Sequence, residues 1–119
     1  MIIRGVVLEG KKLGRKLGFP TANINISESL QIENGVYLSI VCVDGERFLA
    51  VTNIGNNPTV GGLERKAESH LLDFSGDLYN REIEVDLGER LRGEMRFESV
   101  EALREQVLSD IAEARERLQ

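Results

Sequence analysis

Up to about residue 97 the apolar residues of this chain recur at every second position, in short runs broken by glycine; beyond residue 99 they recur every three or four. A period of two is that of a strand with one buried face, and a period near 3.6 is that of an amphipathic helix. Residues 2–9 are rich in β-branched side chains. Residues 21–27 alternate, with Ala22, Ile24 and Ile26 on one side and Thr21, Asn23 and Asn25 on the other. Residues 35–43 place Val36, Leu38, Ile40 and Cys42 on one face; Asp44-Gly45 is a two-residue hairpin signal, and residues 46–54 form the returning strand. Gly55-Asn56-Asn57-Pro58 is expected to end that strand, with Gly61-Gly62 extending the loop; residues 68–74 and 81–87 are two further strands. Val100, Leu103, Val107, Ile111, Ala114 and Leu118 then form one helical stripe, with Ser99 as N-cap, Glu101 in the first turn, and Arg115 and Arg117 in the last. Six short strands and one helix predict an antiparallel barrel, which removes exposed sheet edges, with the helix packed on it. The barrel is expected over about residues 1–97 and the helix over about 99–118.

The length, 119 residues, suits one domain that can bury roughly two-thirds of its unfolded surface without a disulfide or structural metal. Cys42 is the single cysteine, which excludes an intrachain disulfide and a multi-cysteine zinc site; in its apolar run it reads as a small buried hydrophobe. The net charge of −5 argues against a general nucleic-acid binder but not against one small phosphate site. No apolar run approaches the ~20 residues of a membrane span, and the first residues do not have the pattern of a signal peptide, so a cytoplasmic protein is expected.

Gly10-Lys11-Lys12-Leu13-Gly14-Arg15-Lys16-Leu17-Gly18 sets four cations among three glycines. Glycines let backbone N–H groups approach an anion closely, although such a turn is also ordinary solvated surface. Gly5 to Lys11 fits the start of the phosphate-loop pattern, but Lys12 stands where Ser or Thr is needed, and Glu9 would repel phosphate. Thr21 and Asn23 share a strand face and offer two neutral oxygens, which would suit Mg²⁺ completed by substrate phosphates, or simply a polar outer face. Glu68 and His70 also share a face; either is a candidate base, and a lone histidine in a strand also serves as hydrogen-bonded structure. The aromatics of the segment Asp73-Phe74-Ser75-Gly76-Asp77-Leu78-Tyr79 suit a flap over a flat ligand or a satellite core beneath a loop.

Taken in order, Gly14-Arg15, Leu17-Gly18-Phe19-Pro20-Thr21-Ala22-Asn23, Asn34-Gly35-Val36-Tyr37, Asn53-Ile54-Gly55 with Pro58-Thr59, Glu68-Ser69-His70-Leu71-Leu72-Asp73-Phe74, Gly76-Asp77-Leu78-Tyr79, Leu91-Arg92 and Phe97 resemble the riboflavin kinase family over nearly the whole chain. The resemblance implies a mainly β fold, a six-stranded antiparallel Greek-key β-barrel with a C-terminal α-helix. It implies transfer of the γ-phosphoryl of ATP to the 5′-hydroxyl of riboflavin, giving FMN and ADP, with Mg²⁺ as cofactor. By the same resemblance, Thr21 and Asn23 match the magnesium and phosphate contacts. Gly10, Gly14, Arg15, Gly18 and Pro20 fall in the phosphate- and nucleotide-binding segment, Glu68 matches the general base, and Arg92 falls in the loop near the flavin. Ser69 and Asn80 stand where the family pattern has Thr and Gly; Ser69 keeps a hydroxyl, and Asn80 suits a turn with positive φ. Many bacterial members are fused to an FMN adenylyltransferase domain, which nothing in these residues resembles. A non-catalytic flavin-binding or regulatory module of the same fold is the alternative reading, and a small nucleic-acid-binding barrel is a second.

Overall fold

The computed structural model describes residues 1–8, 21–27, 29–59, 62–74 and 78–117. Six strands and one helix follow in chain order: β1 (Ile2–Val6), β2 (Thr21–Ile26), β3 (Gly35–Val43), β4 (Glu46–Thr59), β5 (Gly62–Leu71), β6 (Glu82–Arg92) and α1 (Val100–Arg117). The strands form one sheet in the order β1-β6-β3-β4-β5-β2, antiparallel at every pairing. The consecutive strands β3, β4 and β5 have β2 returning beside β5, which is the Greek-key arrangement. Leu8, just past β1, bridges Asn23 of β2 and donates its N–H to the Asn23 carbonyl at 2.8 Å. The two edge strands thereby meet, and the sheet curls into a nearly closed barrel with the mainly β character expected of it.

Local chemistry explains the turns. Asp44 and Gly45 both have positive φ (49° and 83°), as a type I′ hairpin turn requires. Asn80 also lies at positive φ (65°), the conformation that asparagine tolerates better than most residues. Gly35 has φ 152°, and a side chain there would come within 2.7 Å of the Arg92 carbonyl, so its lack of a Cβ permits the close approach of β3 to β6.

The Asn-rich stretch does not end β4. The strand continues through Asn56 and Pro58 to Thr59, with Gly55 opposite Lys66 and Thr59 opposite Gly62, so β5 begins at Gly62 rather than near Glu68. Gly, Asn and Pro are poor strand formers, but pairing with β5 overrides that preference. On β6, two register shifts against β3 between Val36 and Ser39 give β6 extra residues. Such bulges bend and twist a strand, and they carry the end of β6, with Arg92, around the barrel.

Two apolar clusters result. Inward-facing Ile24, Val41, Ile54, Leu71, Ile83 and Val85 fill the barrel. On the outer face, Val36, Leu38, Val51 and Leu72 pack beneath Val107, Ile111 and Ala114 of α1. Burying Val107 and Ile111 each contributes about 1.5–3 kcal/mol. Ser99 caps the helix as expected: its Oγ accepts from the Ala102 N–H at 3.1 Å. Leu118 lies outside the described residues. Cys42 is half-buried rather than buried. It shares an outward face with Val36 and Leu38, beyond the part that α1 covers. Phe74 and Tyr79 pack against the barrel core, and Phe74 meets Phe48 edge-to-face at 5.1 Å. These two aromatics form a satellite of the core.

Candidate active site

The outward faces of β2, β5 and β4 carry two adjacent rows of functional groups. Thr21 pairs with His70, which pairs with Val51; one step along, Asn23 pairs with Glu68, which pairs with Asn53. Cross-strand partners on one face have Cβ atoms about 5 Å apart. The sequence alternation thus brings Thr21, Asn23, Glu68 and His70 into one patch beside α1, because Ala22, Ile24, Ala67 and Ser69 take the inward positions.

Within the patch, Thr21 Oγ1 lies 3.3 Å from His70 Nδ1, and Glu68 Oε1 lies 3.6 Å from His70 Nε2. His70 is buried, at 6% exposure, whereas the Glu68 side chain is 35% exposed. Burial disfavours the imidazolium and lowers the His70 pKa from 6.5 to about 4, although the Asp110 carboxylate partly opposes this. His70 is therefore neutral at pH 7 and poorly placed to meet a substrate. Glu68 is the more accessible of the two candidate bases.

Beneath the patch, three buried hydroxyls link the strands from inside. Ser39 Oγ lies 2.6 Å from Thr52 Oγ1, which lies 2.7 Å from Ser69 Oγ, and Ser39 also donates to the Ala50 carbonyl at 3.2 Å. Ser69 sits between Glu68 and His70, so this chain of bonds holds the strand that presents both. The inward serine and threonine interrupt otherwise apolar alternation, which is the signal visible in sequence.

Arg92 lies at the end of β6, and its guanidinium binds Asp110 of α1 in a two-pronged pair, Nε to Oδ1 at 2.9 Å and Nη2 to Oδ2 at 2.8 Å. Gln106 donates to the same carboxylate at 3.0 Å, and Arg92 Nη1 donates to the Gly93 carbonyl at 2.9 Å. The pair fastens the helix to the strand end beside the patch. Asp110 was not among the residues singled out from sequence. Its signal is an acidic residue three positions after Val107, inside the apolar stripe.

Gly10, Gly14, Arg15, Gly18 and Pro20, expected to cradle phosphate, lie outside the described residues. Among the described residues no group of three or more His, Cys, Asp or Glu side chains could hold a metal ion. Thr21 and Asn23 instead offer neutral oxygens from one strand face, with the Glu68 carboxylate opposite Asn23. That oxygen set fits Mg²⁺, which takes few protein ligands and completes its shell with water and phosphate oxygens.

Residues 1–118 match the family profile Flavokinase, riboflavin kinase. The chain is 49% identical over 115 residues to a bifunctional riboflavin kinase/FMN adenylyltransferase of Pseudomonas fluorescens, covering 95% of this chain and 37% of the relative. It is 44% identical to the corresponding protein of Escherichia coli K12, covering 96% of this chain and 37% of that one. An RNA-binding riboflavin kinase of Bacillus subtilis is 46% identical, with 93% of this chain and 48% of that one covered. The chain thus spans less than half the length of these curated relatives. Among solved structures, riboflavin kinase from Trypanosoma brucei superposes with a TM-score of 0.69 at 27% identity, over 99% of this chain and 76% of that one. A Streptococcus pneumoniae structure described as a macrolide-efflux protein superposes with a TM-score of 0.85 at 31% identity, over 96% of this chain and 38% of that one.

Proposed function

The chain belongs to the riboflavin kinase family, and on that premise we propose that it transfers the γ-phosphoryl of ATP to the 5′-hydroxyl of riboflavin, giving FMN and ADP. The observation that carries the reading is the row Asn23–Glu68–Asn53 beside Thr21 and His70: an accessible carboxylate stands next to neutral oxygens on one strand face. Catalysis of phosphoryl transfer rests mainly on positioning and charge stabilisation. Glu68 orients the 5′-hydroxyl and takes its proton as the hydroxyl oxygen bonds to the γ-phosphorus. The bond from that phosphorus to the β–γ bridging oxygen breaks, and ADP leaves with the electron pair. Thr21 and Asn23 would hold Mg²⁺, which when bound neutralises phosphate charge. His70 stays neutral and fixes the Thr21 hydroxyl from behind. Arg15 and the amides around Gly10, Gly14, Gly18 and Pro20 would bind the phosphates. Arg92 acts near the flavin by anchoring α1 through Asp110.

We assign to these residues only the kinase half of the two activities in the names of the Pseudomonas and Escherichia relatives, so FMN rather than FAD is the expected product. A fused adenylyltransferase domain beside this chain, as in those two relatives, fits the share of their length that it covers. ATP as donor favours the cytoplasm. Among the described residues no helix is long and apolar enough to cross a membrane. With a net charge of −5, no nucleic-acid partner is proposed; a salt-sensitive gel shift with RNA, prompted by the name of the Bacillus relative, would reverse this.

The test is chromatographic. Purified protein is incubated with riboflavin, ATP and Mg²⁺, with a chelated control. Metal-dependent FMN is the expected product. Flavin binding without FMN would favour the regulatory module, and neither binding nor turnover would refute the assignment.

A further inference from the structure

We propose that Asn53 is a further substrate-binding residue: its side-chain oxygen accepts a hydrogen bond from a hydroxyl of the substrate's polyol chain and aligns that chain along Glu68. The inference rests on the riboflavin kinase reading above, since riboflavin carries such a chain. Asn53 Oδ1 is buried and has no hydrogen-bond partner among the described residues, the one such side-chain atom found there. Buried polar atoms are normally paired, and an orphan on the face that holds the candidate base requires an explanation.

Its surroundings define the missing partner. Glu68 stands directly across the β4–β5 ladder. Two residues along β4, Gly55 has no side chain, and the Glu94 carboxylate occupies the space above it. Asn53 Oδ1 is 3.9 Å from where a Gly55 Cβ would lie. Carboxylates only accept when ionised, so neither Glu68 nor Glu94 can satisfy the Asn53 oxygen. A ligand hydroxyl can donate to it. Glu68 lies one cross-strand step away, about 5 Å between Cβ atoms, a span that hydroxyls along one extended polyol chain can bridge. One hydroxyl would donate to Asn53 while the terminal hydroxyl donates to Glu68.

Asn53→Leu tests this, because leucine nearly conserves the volume and removes the oxygen. Removing an unpaired buried polar atom should leave the thermal midpoint of the free protein unchanged or raised. Riboflavin affinity, followed by flavin fluorescence quenching, should weaken about two- to tenfold, the worth of one neutral hydrogen bond. Affinity for lumiflavin, which has the ring but no polyol chain, should not change. Equal weakening for both flavins, or for neither, would overturn the proposal. So would a lowered thermal midpoint in both Asn53→Leu and Asn53→Ala, which would make the residue structural. A loss confined to Mg·ADP binding, measured calorimetrically without flavin, would place Asn53 with the nucleotide instead. Wild-type protein that binds no riboflavin would refute the kinase reading itself and the inference with it. Normal wild-type binding with unaltered variants would refute the inference alone.

Discussion

His70 makes the stability of this protein depend on pH in a defined window. The side chain is buried, and burial holds its pKa near 4, against 6.5 for a solvated imidazole. Between those values the unfolded chain binds a proton at His70 that the folded protein refuses. The contribution of neutral His70 is therefore fully present above pH 6.5, is lost as pH falls, and is gone by about pH 4. The gap corresponds to about 3 kcal/mol, a large fraction of the 5–15 kcal/mol typical of a domain. Many carboxylates also titrate there, so the useful quantity is the difference between wild type and His70→Gln. Urea unfolding of both from pH 7.5 to pH 4 should show the wild type losing about 3 kcal/mol more than the variant. Curves that run parallel over this range would show that the imidazole is hydrated in the folded protein or charged within it, and would refute the reasoning. An NMR titration of the ring would report the same result directly.

Glu68→Gln should lower turnover about 10²–10⁴-fold while riboflavin binding persists, measured by FMN formation and fluorescence quenching; near-normal turnover would remove Glu68 as the base. Thr21→Ala should mainly impair the use of Mg·ATP, read from the magnesium dependence of the rate, and an unchanged dependence would count against that role. Arg92→Met should cost about 3–5 kcal/mol in urea unfolding, because it strands a carboxylate that is 3% exposed, whereas Asp110→Asn should cost less, since the Arg92 side chain is 20% exposed and can reach water. Ser99→Ala should cost about 1 kcal/mol by the same measurement through loss of the cap on the Ala102 N–H.

The strands, the hairpin at Asp44-Gly45 and the capped helix were legible in sequence because each depends on periodicity and local turn chemistry. The positive φ of Asn80 was legible for the same reason. The pairing of Thr21 with Asn23 and of Glu68 with His70 on shared faces followed from a period of two. What the order of residues could not contain was which strands become neighbours. The juxtaposition of Asn23 with Glu68 and Asn53 exists only because β2 returns to lie beside β5. The β4–β5 ladder likewise extended β4 through Asn56 and Pro58, where local preference favoured a turn. Asp110 reads in sequence as a lone acid on an apolar stripe, and its partner Arg92 is supplied by a strand whose bulges swing it around the barrel. The neutrality of His70 is likewise a tertiary outcome. Sequence determined which faces are apolar and which carry oxygen and nitrogen ligands. Long-range strand pairing and burial decided which of those groups meet and which of them can hold a charge.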